Sequence, residues 1–325
     1  MTPEFRITAN GADFSAAARD RLLSLTVTEA DGEEADRLEI TLDDRDGRLE
    51  SPPIEALISV ALGYRDTGLS SMGLFEVEGV RGNGPPDTMT ITATAVDLRN
   101  LARAPRTVAH EDRTLEEIAL EIAGRAGLGL VLGSSLADVR FDYIAQTAES
   151  DLHFLTRIAR GLDATAKAAS GRLVVARRSD NVTAAGDAKR PVRLSRAELT
   201  DWRFDISARE AEGTVEAEIQ MTESAEKKLI KVGSGDPVRR LRHVFATEDE
   251  ARSHAEAVLA RSIREKTEIG ATLARFEPAL FAAGRVSFAG LRPEFAGAWH
   301  ITEVRHNLAN GGLVTSITAN RGEDS

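Results

Sequence analysis

From Leu22 to Ala95 apolar and polar residues alternate with a period of two. Leu23, Leu25 and Val27 are interleaved with Ser24, Thr26 and Thr28. Leu38, Ile40 and Leu42, then Ile58, Val60 and Leu62, then Phe75 and Val77 follow the same rule. Turn formers separate the runs: Asp31-Gly32, Asp46-Gly47, Pro52-Pro53, Gly63 and Gly84-Pro85-Pro86. Side chains of a strand point to opposite faces in turn, so short alternating runs at this spacing predict a small antiparallel sheet or barrel. Near Pro105 the period lengthens. Thr114 and Glu117 form a capping box, and Leu115, Ile118 and Ile122 share one helical face up to a stop at Gly124 or Gly127. A second helix is predicted from Glu149 to Arg160, with Leu152, Leu155 and Ile158 at helical spacing, and residues 171–176 close the unit as a strand.

Strand patterning resumes at Trp202, Phe204 and Ile206 and at Val215, Ala217 and Ile219. Thr247 and Glu250 make another capping box. It opens a helix at about 247–266 whose apolar stripe is Ala251, Ala255, Val258, Leu259 and Ile263. Strands return at 269–273, 285–288, 299–304 and 314–319. The predicted fold class is β-rich α+β, with two similar small antiparallel β-barrel domains flanking an α/β insert. The first barrel covers residues 1–103, the insert 104–178, a linker or long loop 179–192, and the second barrel, with its inserted helix, 193–325.

The two β-regions echo each other. Residues 73–95, GLFEVEGVRGNGPPDTMTITATA, parallel residues 297–319, GAWHITEVRHNLANGGLVTSITA. Gly73 matches Gly297, Phe75 matches Trp299, Val77 matches Ile301, and Val80-Arg81 matches Val304-Arg305. After a turn expected to be two residues longer in the second copy, Ile91-Thr92-Ala93 matches Ile317-Thr318-Ala319. A duplicated unit suggests a body that presents two near-equivalent surfaces for assembly.

At 325 residues the chain can build two or three cores; 42% of it is apolar and only 5% aromatic, so those cores rest on Leu, Ile, Val and Ala. A net charge of −11 argues against a sequence-independent grip on nucleic acid or anionic membrane. With no cysteine, disulfides, thiolate metal sites and cysteine nucleophiles are excluded. No apolar stretch is long enough to cross a membrane, and the N-terminus lacks the basic start and apolar run of a secretory signal.

Candidate chemistry is sparse. Asp43-Asp44-Arg45-Asp46-Gly47 has carboxylates at calcium-loop spacing, but Leu42 stands where the first ligand would fall and Pro53 where the closing Glu would fall, which leaves an acidic turn. The six histidines, His110, His153, His243, His254, His300 and His306, show no ligand spacing. Gly82-Asn83-Gly84 is followed by prolines rather than by a helix that could receive a phosphate. Glu149 with Asp151, or Glu116 with Glu117, could serve a cell-wall hydrolase as paired acids, but both pairs sit where a helix start favours negative charge.

Taken in order, several segments resemble the phage late control gene D family, the baseplate hub of contractile tails, and are similar to the hub half of type VI secretion spike proteins. They are SLTVTEADGEEADRLEITLDDRDG (24–47), VALGY (60–64, with Gly63), GLFEVEGV (73–80, with Gly73 and Phe75), GPPDTMTITATA (84–95, with Pro85 and Pro86), TLEEIALEIAGRAGL (114–128) and IAQTAESDLHFLTRIARGLDA (144–164). The last carries Gln146, Glu149, Ser150, Asp151, Phe154 and Arg157; Gly297 and Trp299 mark the second copy of the echo. The resemblance implies a homotrimer whose six barrels match a hexameric tail tube or tube-initiator protein on one side and a three-fold spike protein on the other. It also implies contacts with other baseplate proteins, passage of DNA without specific binding, and no cofactor. Synthesis would be in the cytoplasm of a bacterial host, followed by assembly into the tail. Because the sequence ends a few residues past the second β-region, a separate spike is expected. The scarcity of aromatics after the second helix favours the phage branch.

Overall fold

The computed structural model describes residues 1–31, 35–96, 105–169, 172–177, 180, 191–206, 212–220, 227–264, 267–310 and 312–321. The first stretch runs β1 (Pro3–Ala9), β2 (Ala12–Asp13), α1 (Ser15–Arg19), β3 (Leu22–Ala30), β4 (Arg37–Asp43), β5 (Leu57–Tyr64), β6 (Gly68–Asn83) and β7 (Thr88–Ala95). The middle stretch is β8 (Arg106–Thr114), α2 (Leu115–Ala126), β9 (Gly129–Leu132), β10 (Arg140–Glu149), α3 (Asp151–Gly161), β11 (Ala164–Ala169) and β12 (Arg172–Arg177). The last contains β13 (Val192–Ser195), β14 (Leu199–Ile206), β15 (Thr214–Gln220), β16 (Lys227–Gly233), β17 (Val238–Phe245), α4 (Glu248–Arg264), β18 (Thr267–Leu273), β19 (Arg285–Ala289), β20 (Ala298–Ala309) and β21 (Gly312–Arg321). The boundary expected at 103/104 and most of the linker expected at 179–192 lie outside the described residues.

The two β-regions join in one 13-stranded sheet, ordered β14-β18-β21-β20-β3-β4-β7-β6-β5-β1-β2, with β19 on β20 and β13 on β19. The order contains two runs of six strands, β3-β4-β7-β6-β5-β1 and β14-β18-β21-β20-β19-β13. Numbered along the chain, the members of each run take the same places. The sixth member differs: β1 is antiparallel to β5, whereas β13 is parallel to β19.

The duplication holds at the level of single irregularities. The β6–β7 ladder is interrupted between Val77 and Gly79, and the β20–β21 ladder between Ile301 and Glu303, the matching positions of the echo. The β3–β4 bulge between Leu22 and Ser24 matches the β14–β18 bulge between Leu199 and Asp201. Gly73 and Gly297 both adopt positive φ, +114° and +105°, and so do Glu55 and Ala283 in the turns before β5 and β19. The hairpins differ in one respect that reverses the sequence expectation. The first ends at Asn83↔Thr88 around four residues, the second at Ala309↔Gly312 around two. The extra length of the second copy lies in longer arms, and its turn is the shorter one.

Among the described residues, four hydrophobic cores lie under these elements. Leu25, Val27, Leu38, Ile40, Phe75, Val77 and Ile91 fill the first, which reaches into the second copy through Phe276, Leu308 and Leu313. Ile269, Ala271, Trp299, Ile301, Val304 and Ile317 fill its counterpart. The insert packs α2 and α3 on β9, β11 and β12, around Leu115, Ile118, Ile122, Phe154, Leu155 and Leu173. A fourth core, Val215, Ala217, Ile219, Ile230, Phe245, Ala251 and Ala255, lies between α4 and the separate sheet β16-β15-β17. The expected helix inside the second β-region therefore arrives with three strands of its own. Ile263, placed in its apolar stripe, is instead 55% exposed. Both predicted N-caps form: Thr114 accepts from the Glu117 amide in a full capping box closed by Gly127 at φ +72°, and Thr247 accepts from the Glu250 amide.

Candidate functional site

The family-like residues of the insert come together at the junction of β10 with α3. Ala148, at φ +49°, bulges the strand between Gln146 and Glu149, and Ser150 caps the helix by accepting from the His153 amide. The fully buried Gln146 amide donates to the Glu149 carbonyl and to Asp151 Oδ1, both at 2.9 Å. Arg125 of α2 grips Asp151 with two bonds of 3.1 and 3.0 Å and Glu121 with a third of 2.7 Å. Arg157 grips both oxygens of Glu149, donates to the Ala145 carbonyl at 2.8 Å, and lies 5.3 Å from the centre of the Phe154 ring. Phe154 is fully buried and stacked on His110 at 5.4 Å.

Burial opposes ionisation of Glu149, but the hydrogen bonds and charge of Arg157 outweigh it and hold the carboxyl below its usual range. The Thr114 amide does the same for Glu117, burial opposing it and Arg113 assisting. A general acid at neutral pH needs the opposite shift. This constellation locks two helices to a strand.

The residues of the first β-region serve its backbone. A side chain at Gly63 would meet the Gly68 carbonyl at 2.1 Å, so the β5–β6 hairpin needs glycine there. Pro85 and Pro86 occupy the four-residue turn between Asn83 and Thr88. Phe75 and Trp299, equivalent and each 1% exposed, anchor the two large cores, and the Trp299 indole donates to the Phe295 carbonyl at 3.0 Å. In the acidic turn, Asp46 takes two bonds from Arg21, which, with burial opposing, bring its pKa down to about 2; Asp44 receives the Leu49 amide.

Two groups of residues escaped the sequence pattern. The first fastens the pieces together. In the insert, the buried Lys167 ammonium donates to the Ala30 carbonyl at 2.8 Å and pairs with Asp36 at 2.9 Å. His300 meets Asp31 at 2.7 Å across the seam between the two copies. There β20 pairs antiparallel with β3, from Glu303↔Ala30 to Ala309↔Ser24. The Tyr64 hydroxyl receives the Phe276 amide at 2.9 Å, and His306 Nδ1 receives the Thr315 hydroxyl at 3.0 Å. The partners of Lys167, His300 and Tyr64 lie 131 to 269 residues away in the chain, so no local pattern could signal them, whereas His306 and Thr315 face each other within one hairpin.

The second is the face of the large sheet opposite its cores. Alternation places Thr26 and Thr28, Glu39 and Thr41, Thr90, Thr92 and Thr94, Arg305 and Asn307, Ser316 and Thr318, Thr272, and Arg203 and Asp205 on that side. Cross-strand hydroxyl pairs knit it together, Thr41 with Thr90 at 3.3 Å and, at the equivalent place, Thr272 with Ser316 at 3.1 Å. The surface is rich in hydroxyls, with charges of both signs interspersed. Among the described residues no group of acids and histidines is arranged to hold a metal ion, and no helix is long and apolar enough to cross a membrane.

A family model described as phage tail baseplate hub (GPD) matches residues 87–312. A probable baseplate hub protein of Escherichia phage 186 is 30% identical over 98% of this chain and 92% of its own length, and its counterpart in Escherichia phage P2 is 29% identical over the same shares. Among solved structures, the 43 kDa tail protein of prophage MuSo2 from Shewanella oneidensis has a TM-score of 0.71 at 16% identity, covering 98% of both chains. A tail protein from Neisseria meningitidis MC58 has a TM-score of 0.73 at 13% identity over 99% of this chain and 97% of its own. An E. coli component of the type VI secretion system has a TM-score of 0.61 at 12% identity over 98% of this chain and 77% of its own. At these identities the structural likeness establishes the fold.

Proposed function

Because this chain belongs to the phage tail baseplate hub family, we propose that it works as the hub by closing three copies into a ring of pseudo-six-fold symmetry. The ring joins a hexameric tail tube to a trimeric spike and leaves a channel for DNA. The observation that carries this reading is the internal duplication: two runs of six strands in matching chain order, with matching bulges and positive-φ glycines. Three chains with two such units each offer six near-equivalent positions, and heterologous contacts that close on themselves are an allowed symmetric assembly. The polar sheet face is suited to line the channel. Its hydroxyls and mixed charges offer a polyanion neither a basic track nor an apolar surface, so DNA would pass without being held. The four-core architecture serves this role with a two-unit tube body, an insert fastened to it by Lys167–Asp36, and the α4 unit on its flank.

The test is the mass of the purified chain in solution, alone and mixed with the spike protein of the same particle. A three-fold multiple in either condition is expected. A monomer in both conditions overturns the ring.

A further inference from the structure

Among the edges of the large sheet with no partner in the described residues, two have counterparts that pair within the chain, and the duplication says what each should meet. Within the chain, the second half of β20 pairs with β3, including Val304↔Glu29, Arg305↔Thr28, His306↔Val27 and Asn307↔Thr26. The counterpart of β20 in the first copy is β6, and the counterpart of β3 in the second copy is β14. On β6, pairing with β5 ends at Leu57↔Glu76, so from Gly79 to Asn83 the strand is paired on its β7 side only. β14 ends the strand order and, among the described residues, pairs only with β18. An exposed strand edge is a template for a further strand.

We propose, resting on the ring reading, that these edges meet between neighbouring copies. The β6 edge of one chain lies antiparallel to the β14 edge of the next and repeats the β20–β3 seam in the register Val80↔Ile206, Arg81↔Asp205, Gly82↔Phe204 and Asn83↔Arg203. The register is fixed by two independent alignments, the echo that carries Val304 to Val80 and the shared bulge that carries Leu22 to Leu199. The side chains agree with it. Arg81 and Asp205 face each other with opposite charge, both are exposed, and neither has an ion-pair partner among the described residues. Phe204 and Ile206, 39% and 60% exposed, are the apolar residues that such a ladder would cover. Gly79 and Gly82 keep the β6 edge clear for close approach. Each chain carries one edge of each kind, so the contact is heterologous and three copies close with no free edge of these two types. The interchain ladder is shorter than the internal one, because the turn containing Pro85 and Pro86 ends β6 at Asn83 whereas β20 continues to Ala309.

The chain contains no cysteine, so Arg81→Cys combined with Asp205→Cys in the full-length protein introduces one thiol on each edge. Oxidation of the assembled double variant is expected to give covalent dimers and trimers on a denaturing gel, and either substitution alone none beyond a minor dimer. In the cysteine-free chain, Arg81→Glu and Asp205→Arg each weaken assembly at least about tenfold, and the double swap restores most of it. A mass of three chains with no interchain cross-link between these positions, and no rescue by the double swap, overturns the proposed ladder and leaves the ring standing. A monomer under all conditions, with and without the spike, overturns both.

Discussion

His306 shows what burial beside the seam between the two copies does to a single side chain. It sits on β20 opposite Val27 of β3, only 1% exposed, with its ring centre 4.9 Å from that of Phe276 and the two rings steeply inclined. Burial lowers its pKa to about 4, against a weaker opposing hydrogen bond with the Leu280 backbone. The folded protein therefore holds a neutral imidazole. Below pH 6.5 the unfolded chain takes up a proton that the folded chain refuses until about pH 4, so stability falls with falling pH across that window. The loss from this residue reaches about 3 kcal/mol at the acid end. Denaturant titrations from pH 7 to pH 4 should show this slope, and His306→Leu should remove its share, leaving the part from His254, whose pKa burial also lowers to about 4. The variant should start less stable at pH 7 by about 1–3 kcal/mol, because the Thr315 hydroxyl and Leu280 carbonyl lose their partner. An unchanged slope in the variant would place the acid sensitivity elsewhere.

Among the elements, the paired hairpins invite a matched experiment. A side chain at Gly73 would have ordinary room, 3.7 Å from the Phe75 ring, so the cost of Gly73→Ala comes from φ +114° alone. Gly297, at φ +105°, poses the same backbone demand. Each alanine is expected to destabilise by about 1–3 kcal/mol. Gly124→Ala, inside α2 with open space around it, should instead stabilise by about 0.5–1 kcal/mol. Thermal melts of the three variants would refute the equivalence if the two hairpin glycines behaved oppositely. These hairpins, the Thr114 cap and the Gly127 stop were legible in the sequence because each is a local pattern. The bulge at Leu22–Ser24 was not: it puts Leu22 against the core in place of Leu23, the residue that strict alternation selects. Nor did Val215, Ala217 and Ile219 reveal a separate sheet, since alternation reports that a face is buried but not what buries it. Of the candidate site, Gln146 through Arg157 could be picked out as a cluster, while Lys167, Asp36, His300 and Asp31 are joined only by the fold.

At the scale of the whole molecule, the question is whether two repeated units on one sheet behave as two bodies or one. Separate barrels would each melt on their own. Here β20 pairs with β3 along seven residues, the first core takes in Phe276, Leu308 and Leu313 from the second copy, and Tyr64 bonds across the seam to the Phe276 amide. Loss of either unit would expose a buried strand edge and part of a shared core, so neither can unfold at small cost while the other stands. Leu38→Ala and Ile301→Ala, in the first and second cores at 1% and 0% exposure, are each expected to cost about 2–5 kcal/mol. Both should lower one and the same calorimetric transition. Leu155→Ala, in the insert core, serves as the contrast, because that core reaches the large sheet through few ties such as Lys167–Asp36 and has room to unfold separately. Two transitions, one moved only by Leu38→Ala and the other only by Ile301→Ala, would mean that the seam is a contact between independent units. A common transition would mean that the duplication is already fused within each chain, leaving the β6 and β14 edges as the ones whose counterparts pair internally and which contacts between chains would complete.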